Sequence, residues 1–205
     1  MWLKICGMTS PEAVSAALEA QVDAIGFVFA PSVRELQPQR AVQLAAPARG
    51  RVQCIAVTLH PQQALIDQIL EDFAPDVLQT DLEDLAGLRL PASLTVLPVV
   101  RGALTDPRAA PPRLLFEGAR SGSGGTADWG QAMLLARATQ LILAGGLTAA
   151  NVAAAIQSVR PFGVDVSSGV ESAPGRKSPQ RIVEFVQAAR AAFAGIDHER
   201  DGNTR

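Results

Sequence analysis

Eight short apolar runs, each followed by an amphipathic stretch or by room for one, are what most restricts the folds open to this chain. "WLKIC" leads into "SPEAVSAALEA", where Val14, Ala17, Leu18 and Val22 keep helical spacing. "VDAIGFVFA" precedes "PQRAVQLAAPA", and "RVQCIAVTL" precedes "PQQALIDQILEDF", which opens with proline in its first turn. "DVLQT" and "LEDLAGL" make a shorter pair. In the second half "LTVLPVV" runs into the proline-rich "TDPRAAPP", where a fifth helix is short or missing, and a glycine-rich loop separates "RLLFEG" from "DWGQAMLLARA". "QLILAGG" with "TAANVAAAIQSVR", then "FGVDVSSG" with "SPQRIVEFVQAARAAFAG", complete the series. Over 205 residues the units average about 25 each with no break in composition, the pattern of one parallel α/β domain. Eight is the number that closes a (β/α)₈ TIM barrel with parallel strands, and no GxGxxG or Walker loop favours an open nucleotide-binding sheet. The expected domain is residues 1–195, with 196–205 ("IDHERDGNTR" from Ile196) as a polar, frayed tail.

Composition narrows the class. Hydrophobic residues make up 48% and aromatics only 4%, so the core should be aliphatic and finely packed. A net charge of −2 offers no footprint for nucleic acid or an anionic membrane surface. No apolar run reaches the length of a membrane span, and "MWLKICGM" lacks a signal peptide's charged and apolar regions. Cys6 and Cys54 are too few for a disulfide framework, so a reduced, cytoplasmic setting is expected.

In such a barrel, chemistry sits at the C-terminal ends of the strands. Those ends carry Cys6, "APSVR", Thr58 to His60, "QTD", Arg101, Glu117, "AGG" and "DVSSG". Gly145, Gly146, Ser167, Ser168 and Gly169 end the seventh and eighth strands, where barrels often cradle a phosphate with free backbone N–H groups. Tight turns alone would also use such residues. Asp165 shares a face with Ser167, and Lys4 with Cys6; Asp165 is either a sugar-binding carboxylate or the partner of Lys4. Cys6 is either a small buried hydrophobe or a thiol activated at the working end, whereas mid-strand Cys54 fits the first description better. Glu117, beside the glycine-rich loop, is either a solvated strand-end carboxylate or a general acid, and Arg34 is either an exposed loop arginine or the partner of an anionic group. His60 and His198 show no metal-ligand spacing, so no metal is expected.

"KICGMT", "DAIGFVFAPSVR", "LLFEG…SGSGGTADW", "LILAGGLTAANVAAAI" and "RPFGVDVSSGVESAPGRK" together resemble phosphoribosylanthranilate isomerase, an enzyme family of tryptophan biosynthesis. The matches run in order from residue 4 to residue 177. The resemblance implies an Amadori rearrangement of N-(5′-phosphoribosyl)anthranilate to 1-(2-carboxyphenylamino)-1-deoxyribulose 5-phosphate, with neither cofactor nor metal. It implies Cys6 as the base that removes the C2′ proton and Glu117 as the acid that opens the ring. It places Arg34 at the anthranilate end, Asp165 at the ribose hydroxyls, and Gly145, Gly146, Ser167, Ser168 and Gly169 at the phosphate. Two features depart from the family pattern. Glu117 stands where Asp is usual, and Thr80 and Asp81 replace His and Gly after Gln79.

Three other readings compete: a related isomerase of histidine biosynthesis or a bifunctional enzyme serving both pathways, a phosphosugar-binding barrel without catalysis, and an interaction or scaffold protein. The last would call for exposed apolar patches or charge runs that the sequence does not clearly show. The first typically carries aspartate where this chain has Cys6, and its second phosphate lacks a second glycine-rich site here. The partner expected is a phosphorylated small molecule, with monomer and homodimer both open.

Overall fold

The computed structural model describes residues 1–102, 110–118 and 128–202, with side chains described as far as Ile196. Strands β1 (Trp2–Ile5), β2 (Ala24–Val28), β3 (Gln53–Val57), β4 (Val77–Asp81), β5 (Thr95–Arg101), β6 (Arg113–Glu117), β7 (Gln140–Leu143) and β8 (Gly163–Val166) pair in sequence order and close into a barrel. Every neighbouring pair is parallel, including β8 back to β1. The (β/α)₈ expectation therefore holds, and all eight apolar runs are barrel strands.

Helices α1 (Pro11–Glu19), α2 (Pro38–Ala45), α3 (Gln63–Gln68), α4 (Trp129–Ala136), α5 (Val152–Val159) and α6 (Pro179–Gly202) cover the outside. Three of them begin with proline, whose fixed φ suits a first turn and whose missing N–H is no loss there. Ser10 caps α1 by accepting from Ala13 N, and the helix buries Ala13, Val14, Ala17 and Leu18. Helix α3 continues into a π-turn over Ile69–Phe73 that ends at Ala74 in the left-handed region. "LEDLAGL" forms only a 3₁₀ segment, Leu82–Gly87. Most of "TDPRAAPP" and the loop from Ala119 to Ala127 lie outside the described residues. The last helix keeps helical backbone to Gly202, past the boundary expected at 195.

Side-chain alternation sorts the apolar residues into two layers. Trp2, Ala24, Ile55, Val77, Leu97, Val99, Leu115 and Ile142 fill the barrel interior. Leu3, Ile5, Ile25, Phe27, Cys54, Leu78, Leu114 and Val164 face the helices instead. Gly163 is required by this packing, because a Cβ there would lie 2.5 Å from the Trp2 carbonyl oxygen. At the N-terminal end, Asp23 accepts from Leu3 N at 2.8 Å and Asp76 from Cys54 N at 2.7 Å, tying each loop to the preceding strand. After β8 the chain makes a single 3₁₀ turn (Ser168–Val170). It then forms a small antiparallel pair, β9 (Glu171–Ala173) with β10 (Arg176–Lys177), that sits beside the barrel mouth.

Candidate active site

Going up the inner face of β1, hydrophobic Trp2 gives way to Lys4 and then, just past the strand, to Cys6. On β8 the same progression runs Gly163, Asp165, Ser167. Lys4 and Asp165 are register partners, and Lys4 Nζ lies 3.0 Å from Asp165 Oδ2 with both side chains buried. The contact has the distance of an ion pair but not the angles of a hydrogen bond, so Lys4 Nζ and Asp165 Oδ1 have no hydrogen-bond partner among the described residues. Burial alone lowers the affinity of Lys4 for its proton, but the charges of Asp165 and Cys6 outweigh it and hold the ammonium.

Cys6 is buried, and its sulfur lies over Gly26 of β2. A Cβ on Gly26 would come within 2.9 Å of Cys6 Sγ and 3.2 Å of Lys4 Cε. Burial pushes the Cys6 thiol upward; Lys4 opposes the rise, Asp165 adds to it, and Lys177 opposes it. Cys54, by contrast, faces the helix layer, where burial pushes its thiol up to about 11. Both cysteines are free, and the barrel wall lies between them.

A second cluster surrounds Glu171. Arg34 reaches from the loop after β2 and donates to it twice, Nε to Oε1 at 2.6 Å and Nη2 to Oε2 at 2.8 Å. Lys177 Nζ donates to Glu171 Oε1 at 2.7 Å and also to Ser167 O and Oγ at 3.0 and 3.1 Å. Despite the cost of burial, the two cations hold the Glu171 carboxyl well below its ordinary 4.5, at about 2. Ser167 Oγ donates to the Cys6 carbonyl at 3.1 Å, so the loop after β8 is fastened to the strand end that carries the thiol. The Arg34 stem passes over Gly7, whose φ of +76° and lack of side chain both matter: a Cβ would meet Arg34 Cδ at 2.6 Å.

The glycines named from the sequence lie together. Gly145 and Gly146 both take positive φ, and Asn151 secures their loop by donating to Gly146 O and accepting from Thr148 N, each at 2.8 Å. Gly169 packs directly on the Leu147 carbonyl, where any Cβ would collide. The loops after β7 and β8 are therefore one surface, with Ser168 beginning the 3₁₀ turn on it.

Across the mouth, Arg101 Nε donates to both oxygens of Asp81 at 3.0 Å, and its Nη1 donates to Glu117 Oε2 at 2.7 Å. Thr80 points to the opposite side of β4 from Asp81 and donates to Asp84, which also accepts from His60 N. Of the two departures on that strand, only Asp81 faces the site. His60, Asp81 and Glu83 bring ligand atoms within 4.8 Å of one another, but His60 and Glu83 are exposed and Arg101 engages the Asp81 carboxylate.

One end of this barrel thus gathers a buried thiol, two buried ammoniums, a carboxylate with an unpartnered oxygen, an anchored arginine and an anion-suited pair of loops. Over residues 3–188 the sequence matches the family model of N-(5′-phosphoribosyl)anthranilate (PRA) isomerase. The chain belongs to that family. Like its relatives it is an isomerase. The N-(5′-phosphoribosyl)anthranilate isomerase of Nitrobacter hamburgensis is 38% identical, the alignment covering 93% of each chain. The crystal structure of TrpF from Jonesia denitrificans is 39% identical with a TM-score of 0.76, covering 94% of this chain and 98% of that one. A phosphoribosyl anthranilate isomerase solved in complex with reduced 1-(o-carboxyphenylamino)-1-deoxyribulose 5-phosphate is 27% identical, with a TM-score of 0.75 over 93% of this chain and 99% of that one.

For this family member, sequence reasoning named the residues at the mouth but missed what holds them. Glu171 and Lys177 both stand in "GVESAPGRK", yet neither received a role. Their signal was available: Glu171 and Lys177 are, with Arg176, the three charged residues in an otherwise small segment next to the phosphate loop.

Proposed function

We propose that this isomerase converts N-(5′-phosphoribosyl)anthranilate to 1-(2-carboxyphenylamino)-1-deoxyribulose 5-phosphate, a step of tryptophan biosynthesis, with Cys6 as general base and Glu117 as general acid. The observation that carries the reading is the setting of Cys6: a buried thiol at the barrel mouth, above the Lys4–Asp165 ion pair and beside the Ser167 loop, which donates to its carbonyl. A buried thiol in a purely structural role would look like Cys54.

The substrate's phosphate is received by the backbone of Gly145, Gly146, Ser168 and Gly169, with Ser167 linking that loop to Cys6. A sugar hydroxyl donates to Oδ1 of Asp165, unpartnered among the described residues, while Oδ2 lies 3.0 Å from Lys4 Nζ. Arg34 is held by Glu171 through Nε and Nη2, and its Nη1 meets the anthranilate carboxylate. Glu117 protonates the furanose ring oxygen. The C1′–O bond breaks as the anilino nitrogen's lone pair forms a C1′=N iminium. The Cys6 thiolate then takes the C2′ proton, and the released electron pair forms the C1′=C2′ enolamine as the iminium π pair returns to nitrogen. Loss of the 2′-hydroxyl proton and protonation at C1′ give the ketone. The iminium cation stabilises the adjacent thiolate, so Cys6 ionises most readily when the intermediate is bound.

Cys6→Ala tests the assignment. Turnover should fall by about a thousandfold or more, within the range of removing an essential proton-transfer group, while reduced 1-(o-carboxyphenylamino)-1-deoxyribulose 5-phosphate still binds. Turnover near that of the unmodified protein would remove Cys6 from the mechanism.

A further inference from the structure

Glu117 and Arg101 are register partners on β6 and β5, and Asp81 stands opposite Val99, one inward position before Arg101. Strand alternation therefore aims all three side chains over the open end of the barrel. They form one chain of contacts, Asp81 to Arg101 to Glu117, with two carboxylates sharing a single guanidinium. We propose that Asp81 is a positioning residue for proton delivery by Glu117, holding Arg101 by its Nε edge so that the guanidinium reaches Glu117 through one oxygen only. The inference rests on the reading of Glu117 as the acid.

An arginine beside a carboxylate prefers the two-pronged pairing in which two parallel N–H groups grip both oxygens. Arg101 is always charged, and with no competitor it could turn that fork on Glu117. A carboxylate clamped on both oxygens by a permanent cation favours its ionised form and is a poor source of a proton. Asp81 occupies the Nε edge of that fork, since Nε donates to Oδ1 and Oδ2 of Asp81 alike, and in this pose only Nη1 turns to Glu117. Among the described residues, Glu117 Oε1 then has no hydrogen-bond partner and remains free to carry the transferable proton. The same anchoring fixes a long glutamate in one pose, where a displacement of about 1 Å can cost on the order of a hundredfold in rate. Positions 81 and 117, both departures from the family pattern, are thus the two ends of a single ion-pair chain.

Steady-state kinetics with N-(5′-phosphoribosyl)anthranilate on Asp81→Asn, Arg101→Gln, the double variant and Glu117→Gln test the proposal. Asp81→Asn should lower kcat by about 10–100-fold with KM within about twofold, the signature of an interaction that acts on chemistry. In an Arg101→Gln background the same substitution should change kcat by less than about threefold, because no cation is left to seize Glu117. This second comparison stands even if the single Asp81 variant does not fold. The proposal is overturned if Asp81→Asn keeps full kcat, or lowers it equally with and without Arg101, while Glu117→Gln is inactive. If Glu117→Gln turns over like the unmodified protein, the acid assignment itself fails and the proposal falls with it.

Discussion

Lys4 and Asp165 meet at 3.0 Å across the β1–β8 seam, inside the barrel and directly below Cys6. The pair closes the ring of strands electrostatically and places a cation within range of the thiol. Lys4→Met would leave the Asp165 carboxylate buried and alone, at a cost of about 3–5 kcal/mol. Lys4→Met with Asp165→Leu should recover much of that loss, since neither charge is then stranded, yet it should remain inactive. Denaturant unfolding of the two variants checks the first statement and turnover the second. Equal stability of the single and double variants would contradict it.

Gly26 supplies the space into which Cys6 and Lys4 pack. A methyl group there would sit 2.9 Å from Cys6 Sγ and 3.3 Å from Cys6 Cα, so the strand end as well as the sulfur must shift. Gly26→Ala should therefore lower kcat on the order of a hundredfold through misplacement of the base. Secondary structure by circular dichroism should stay intact. Unchanged kcat would mean that the position of the sulfur is not critical.

Burial lifts the Cys6 thiol above its ordinary 9.0, with Lys4 opposing, Asp165 adding and Lys177 opposing. The reaction needs the thiolate together with a protonated Glu117, a proton moved from base to acid with none gained or lost, so kcat/KM should stay level across neutral pH and fall once the pH passes the raised thiol value. The pH–rate profile decides this. A kcat/KM that climbs roughly tenfold per unit through neutral pH would mean that the thiolate acts without a protonated acid.

Glu171 contributes stability of a definite sign. Its carboxyl stands at about 2 in the folded protein against an ordinary 4.5, so the folded state favours the ionised form. That contribution is complete above pH 4.5 and disappears as pH falls toward 2. Glu171→Gln should cost on the order of 2–3 kcal/mol at neutral pH and flatten the stability profile across that window. Because Glu171 holds Arg34, the variant should also raise KM more than it lowers kcat. Urea unfolding at a series of pH values, with kinetics at neutral pH, measures both effects.

The strands were readable because each is a short apolar run with an end marked by glycine or a charged residue, and Pro11, Pro38 and Pro179 mark helix starts. Alternation put Lys4 and Asp165 on inward faces and made their pairing one of two readings; the register of β8 against β1 is what joins them. The Glu171 cluster does not. Arg34 and Glu171 lie 137 positions apart, and what joins them is a two-strand ribbon too short and polar to give a periodic signal. Asp81, Arg101 and Glu117 were each visible at a strand end, but their connection depends on the register between β4, β5 and β6, which no local pattern encodes. The π-turn after α3 likewise escapes notice, because its residues satisfy helical spacing as well as α3 does.

The most direct test of the account is steady-state turnover of N-(5′-phosphoribosyl)anthranilate, followed by loss of its fluorescence, for the unmodified protein beside Glu117→Gln and Glu117→Asp. The account predicts turnover in the unmodified protein, its loss in the Gln variant by about a hundredfold or more, and its retention in the Asp variant. Activity indifferent to residue 117, or no turnover in any of the three, would contradict it.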